Sequence, residues 1–410
     1  MTNGNLGVNI PPMLSGDTLI SALEILPPYH ETIREQDAAT RLMALSDLYQ
    51  IYIPSQMSVE IYSKLYLALL RSLQKKGSKT AIEQRNQNYR SIRQLDYNGI
   101  IGGSDSFTII GTSGIGKSSA INRAIDLISA TGIIETEKPY TKIIPCIVVQ
   151  CPFDSSVKGL LLEILRKVDE ALETKYYENA IRARATTDML IGSVSQVALN
   201  HIGLLVVDEI QNVCNSRHGT SLVGMLTQLI NNSGISICMV GTPESAVFFE
   251  QAMQLARRSL GLQYGTVEYN AYFTRFCEIL FSYCYLNYKA TLTEAITQWL
   301  YSHSGGIISV VVSLVHDAQE IAILSGKEEL SLDTLSEAYQ KRLAMLHGYI
   351  APAKVSHPAT KTESVPIGSS IESDINDPHL ISTLLERSKI EQSDIVTLLQ
   401  SFFPVIEVKI

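Results

Sequence analysis

The chain has 410 residues, 45% of them hydrophobic and 18% charged, with a formal net charge of −8. That length predicts more than one domain, and the composition predicts ordinary globular cores rather than a disordered or fibrous chain. The negative balance argues against a protein coated in basic surface.

The longest apolar runs, such as residues 307–315, are short of a membrane span, and the first residues lack the basic start and apolar centre of a signal peptide. A cytoplasmic protein without membrane contact is therefore expected. Six cysteines, at 146, 151, 214, 238, 277 and 284, make no C-x-x-C pair, so free buried thiols are expected. The eight histidines form no zinc-binding pattern.

In chain order, residues 1–30 are rich in Pro and Gly and predict a loose arm. Residues 31–105 predict a helical segment, with helices over 36–73 broken near Pro54. Within it, residues 71–93 hold Arg71, Lys75, Lys76, Lys79, Arg85, Arg90 and Arg93 against one acid, Glu83. Such a run is either a solvated face or a contact to nucleic acid or an acidic partner. From 106 to 269, strands and helices alternate. Strands are predicted over 107–110, 143–150, 203–207 and 235–240, and helices over 117–130, 156–172, 186–200, 219–232 and 244–256. Continuous apolar strands with intervening helices imply a parallel sheet covered on both faces. Residues 270–347 turn all-helical, over 271–288, 291–303, 307–325 and 332–346. Residues 348–376 read as a flexible linker, and 377–410 as a helical tail.

The most informative stretch is residues 106–119, SFTIIGTSGIGKSS. A β-branched run leads into a complete G-x-x-x-x-G-K-[ST] loop, and helical spacing follows. Gly111, Thr112, Ser113, Gly114, Ile115, Gly116, Lys117, Ser118 and Ser119 thus sit between a strand and a helix N-terminus, where backbone N–H groups can face a phosphate. Lys117 adds a charge for the β- and γ-phosphates of a nucleotide, and the Ser118 hydroxyl can ligate Mg²⁺. The stretch LLVVDEIQ at 204–211 supplies the complementary acids. Asp208 at the end of a buried strand can hold Mg²⁺, and Glu209 can polarise an attacking water. Both residue types are also common helix starters. Thr242, after the strand ending CMVG, either orients that water or belongs to a plain GTPE turn. Arg257 and Arg258 either complement a helix C-terminus or act as an arginine finger on a neighbouring subunit's γ-phosphate, which requires an oligomer.

Taken together, the Gly111–Ser118 loop, Asp208–Glu209, Thr242, the paired arginines and the helical end resemble an AAA+ ATPase. The segments CPFDSSVKGLLLEILRKVDEAL (151–172), LLVVDEIQNV (204–213) and VGTPES…QLARRSLG (240–261) look like the TnsC family of transposition regulators. The resemblance spans roughly residues 40–345. It implies an α/β fold, an AAA+ P-loop NTPase whose parallel sheet is flanked by helices and followed by an α-helical lid. It further implies ATP hydrolysis with Mg²⁺ and a ring or helical filament of identical subunits on double-stranded DNA. The implied partners are a target selector of the TniQ/TnsD type and a transposase of the TnsA/TnsB type. By the same analogy Lys158 and Ser156 contact DNA phosphates; Lys158 reads equally as a solvated helix residue. The sequence departs from many AAA+ lids at SGGIISVVVSL, which carries isoleucine where a nucleotide-reading arginine is usual. Two other readings stand beside this one: a helicase-loader or initiator ATPase acting on single strands, and a nucleotide-gated scaffold that does not touch DNA.

Overall fold

The computed structural model describes residues 10–77, 106–137, 140–213, 219–246, 261–344 and 348. All of them belong to one compact unit, Met1–Val355. The expected tail, and the expected linker beyond Gly348, lie outside the described residues. So do Arg257, Arg258 and most of the helix expected over 244–256.

The sheet is built from β1 (Phe107–Gly111), β2 (Ile134–Glu137), β3 (Tyr140–Gln150), β4 (Ile202–Asp208), β5 (Ser236–Gly241) and β6 (Leu262–Tyr264). Its order is β2-β3-β4-β5-β1-β6. Among the described residues of the sheet, only the β2–β3 pair is antiparallel; the other pairings are parallel. The sheet is therefore mixed but mostly parallel, in line with the expected parallel sheet, with one antiparallel pair added at its edge. In the added antiparallel pair Ile134 lies opposite Ile143, and both are buried. β1, β4 and β5 are buried almost throughout, as strands covered on both faces must be.

One face carries α5 (Val157–Leu172), α6 (Tyr176–Arg182), α7 (Thr187–His201) and α8 (Gly219–Ser233). Leu160, Leu161, Ile164, Val194 and Leu226 from three of these helices share a core with Ile147, Val207 and Met239. The other face is covered by α4 (Lys117–Ile128) and by two N-terminal helices, α1 (Gly16–Leu23) and α3 (Gln56–Lys76).

This corrects the loose arm expected at the N-terminus. Ile10, Leu19 and Leu23 are buried against Leu65, Leu69 and Ile121, because α1 has an apolar face that only packing can remove from water. Of the basic run over 71–93, read as a solvated face or as a contact to nucleic acid or an acidic partner, residues 78–93 lie outside the described residues, and Lys76 fits neither reading. It is 1% exposed, and its ammonium donates to the Ala198 and Leu199 carbonyls at 2.6 Å, in the last turn of α7, where the helix dipole favours a cation.

The helical end comprises α9 (Ala271–Ser282), α10 (Glu294–Ser304), α11 (Ile308–Ser325) and α12 (Leu332–Arg342). Contrary to expectation, α11 is long and apolar enough, by length and composition, to cross a membrane. Here, however, Val311, Leu314, Val315, Ala318 and Ala322 are buried in the core of the helical end. The segment between α1 and α3, which includes α2 (Ala38–Ala44), belongs to that core too, through Leu45, Leu48, Ile51 and Ile53. Arg41 fastens it: the guanidinium donates to both Glu328 carboxylate oxygens, at 2.6 and 2.7 Å, and to the Tyr285 carbonyl at 3.0 Å. The 31–105 segment is thus divided, with residues 45–53 in the helical core and 56–76 against the sheet.

Candidate nucleotide site

β1 lies between β5 and β6, so the strand order reverses beside it and a crevice opens at the C-terminal ends of the strands. The register sets those ends level: Gln150 pairs with Asp208, Ile110 with Gly241, and Gly111 with Tyr264. The loop between β1 and α4 therefore faces the end of β4.

Two glycines in the loop are conformationally required. Gly114 and Gly116 have φ of +81° and +96°, left-handed values that favour glycine. A Cβ on Gly114 would also lie 2.3 Å from the Ser309 Oγ. This close approach is where the helical end meets the loop: the Ser309 N–H, in the first turn of α11, donates to the Gly114 carbonyl at 3.0 Å. At the place where the sequence lacks a lid arginine, the lid thus touches the loop through its backbone. At Gly114 the approach leaves no room for a side chain, and a glycine turn at a helix N-terminus can present backbone N–H groups to an anion.

Lys117 is 9% exposed, and its ammonium donates to the Gly111 and Thr112 carbonyls at 2.6 and 2.8 Å. Burial lowers its pKa, and the charges of Asp208, Glu209 and Glu244 partly offset that. The Ser118 hydroxyl donates to the Asp208 carboxylate at 3.3 Å. Ser118 and Asp208 are thus an adjacent hydroxyl and carboxylate, a donor set that fits Mg²⁺. Glu209 has φ +57°, an uncommon value for a residue with a side chain, and its N–H donates to Asp208 at 2.8 Å. Thr242 is half-buried at the end of β5. Its hydroxyl holds the neighbouring Glu244 carboxyl below the usual range.

These groups line one cavity of about 380 Å³, within the usual span for a cofactor pocket. Ser113 through Ser119, Asp208, Glu209, Gln211 and Thr242 form its polar end. The sequence did not reveal the opposite, apolar end. There Ile51, Tyr52, Ile53 and Met57 from the N-terminal segment face Tyr272, Phe276, Ile308 and Val312 from the helical end. Tyr272 donates to the Ile53 carbonyl at 3.0 Å and joins the two walls.

Ser156 and Lys158 do not line the cavity. Ser156 caps α5, its hydroxyl accepting from the Gly159 N–H at 3.1 Å, while Lys158 is exposed on the first turn. The same segment is tied to the acidic turn. Ser155 donates to the Asn212 carbonyl at 2.9 Å, the Asn212 amide to the Cys151 carbonyl at 3.0 Å, and the Cys151 N–H to the Asp208 carbonyl at 2.8 Å.

The phosphate-type loop after β1, the acid pair on the neighbouring-but-one strand and the helical end over the crevice define the class: an α/β P-loop nucleotide-binding fold with a mostly parallel sheet. Residues 103–262 match a family model described as bacterial TniB protein, a range that covers β1 to β5, stops at the start of β6 and ends before the helical end. Comparison with curated proteins gives no match. Among solved structures, the chain is similar to an Aeropyrum pernix ORC1 protein in complex with DNA, with 14% identity and a TM-score of 0.42, covering 64% of this chain and 64% of that one. Drosophila ORC bound to DNA is similar at 12% identity and a TM-score of 0.46, covering 96% and 83%. A RuvB mutant from Thermotoga maritima is similar at 10% identity and a TM-score of 0.32, covering 65% and 68%.

Proposed function

We propose that the chain is an ATP-hydrolysing regulator of DNA transposition that assembles on duplex DNA. The observation that carries the nucleotide part is the convergence of loop residues Ser113 to Ser119, Asp208, Glu209 and Thr242 on one cavity with an apolar far end. Backbone N–H groups and Lys117 bind the phosphates. Ser118 and Asp208 hold Mg²⁺, which when bound neutralises phosphate charge. Glu209 takes the proton of the attacking water, and Thr242 orients that water. The match of residues 103–262 to the TniB family model supports the transposition part.

In this reading Arg257 or Arg258 completes the site of the next subunit in a ring or filament. Ser156 and Lys158, at the positive end of α5, meet the DNA backbone. The assembly links a TniQ/TnsD-type selector to a TnsA/TnsB-type transposase, and hydrolysis disassembles it. Retention of labelled duplex DNA on a filter tests the reading. Binding should require ATP and fall steeply between about 50 and 200 mM salt. Retention equal with and without ATP, or none at low salt, contradicts it.

A further inference from the structure

The Glu209 side chain does not stand alone at the cavity. The Gln211 amide N–H donates to its carboxylate, and the Gln211 amide oxygen accepts from the Thr242 N–H at 3.4 Å. The chemistry fixes which way this amide points: a carboxylate only accepts and a backbone N–H only donates, so the reversed amide would lose both bonds. Gln211 is half-buried and lines the cavity between its two partners. The backbone makes room for the bridge. A Cβ on Gly241 would lie 3.1 Å from the Gln211 amide oxygen and 2.7 Å from Ile210 Cγ2, so the end of β5 approaches the acidic turn this closely only as glycine.

From this geometry we infer that Gln211 is a positioning residue for the hydrolytic reaction, holding the Glu209 carboxylate in register with Thr242 at the end of β5. The inference rests on the reading of Glu209 as the group that takes the water's proton. Glu209 sits on a left-handed turn and is exposed. Its backbone aims the side chain, but among the described residues only Gln211 bonds its carboxylate oxygens. The bridge ties one carboxylate oxygen and leaves the other for a water proton. It also makes the position of the acid depend on the end of β5, where Thr242 faces the same cavity. A displacement at Thr242 therefore moves Glu209 with it.

Gln211 does not itself reach a reacting atom, so its loss should appear in turnover and not in binding. The test is a double-mutant cycle in the full chain, with duplex DNA present throughout. It compares wild type, Gln211→Met, Glu209→Gln and the double variant, measuring equilibrium ATP binding and kcat for each. Methionine keeps the length of glutamine and removes the amide. Gln211→Met should bind ATP within about twofold of wild type and lose about 10- to 100-fold in kcat, the scale of a misplaced reacting group. On the Glu209→Gln background the same change should cost nothing further, because the two residues act as one unit. Gln211→Asn, one methylene too short to span the two partners, should reproduce the kcat loss and covers the case in which the methionine variant does not fold. An unchanged kcat in the folded Gln211 variants, while Glu209→Gln slows hydrolysis, overturns the positioning role alone. Equal, independent losses on both backgrounds also overturn it, as a merely structural effect. If Glu209→Gln turns over like wild type, the reading of Glu209 fails and the inference falls with it.

Discussion

The two ends of the cavity are built on different plans. The phosphate end comes from three short stretches, Ser113 to Ser119, Asp208 with Glu209 and Gln211, and Gly241 with Thr242, each following or ending a parallel strand. The apolar end joins residues 49–58 to residues 272–313, which are more than 200 positions apart in the chain. The first end is held by the sheet register. The second exists only while the N-terminal segment stays fastened to the helical end. The chemistry therefore sits on the rigid part, and the closure of the pocket depends on tertiary contacts far from it.

Breaking the fastening should have the largest effect. Arg41→Ala leaves Glu328 half-enclosed without its partner, a loss of about 3 kcal/mol for a buried pair. We expect a clear drop in melting temperature by calorimetry, and nucleotide binding should weaken as the apolar wall loosens. Glu328 gives the pair a pH sign. Arg41 holds its carboxyl below the usual range, so the stabilisation is present above the ordinary glutamate value and is lost as pH falls through the lowered one.

At the phosphate end, Lys117→Ala should weaken ATP binding about 100-fold, or ~2.7 kcal/mol, with little change in melting temperature. Isothermal titration would show both ATP and tripolyphosphate affected. At the apolar end, Val312→Phe should cost about tenfold for ATP, ~1.4 kcal/mol, and leave tripolyphosphate binding unchanged, because only the far wall is altered. If the two ligands respond alike to Val312→Phe, the division of the cavity into two ends is wrong. The smallest effect is on pH dependence. A bound phosphate favours the Lys117 ammonium, whose pKa burial has lowered. ATP binding should then take up protons at alkaline pH, and affinity should fall as pH rises through that lowered value.

The same contrast explains what the sequence disclosed. Gly111, Lys117, Ser118, Asp208 and Glu209 are tied to strand ends by local pattern, and strand ends in a parallel sheet meet at one edge. Their assembly is therefore legible from spacing. Ile51, Tyr52, Phe276 and Val312 are ordinary apolar residues, and nothing local distinguishes a cavity wall from a core. Gln211 lay inside the DEIQ motif but carried no signal, since its partner Thr242 is 31 positions away. Leu19 and Leu23 sit in a Pro- and Gly-rich stretch, where composition suggested a loose arm. Their burial comes from a face of α3 and α4 that a linear reading cannot locate. β2 escaped notice because a four-residue strand leaves little periodicity.

The central claim is that one nucleotide spans both ends of this cavity. Electron microscopy of the full chain with duplex DNA, Mg²⁺ and a non-hydrolysable ATP analogue tests it most directly. The account predicts triphosphate density along Gly111–Ser118 and base density against the wall formed by Ile53, Tyr272 and Val312. Triphosphate density with the base turned away from that wall, or nucleotide bound elsewhere, would contradict it.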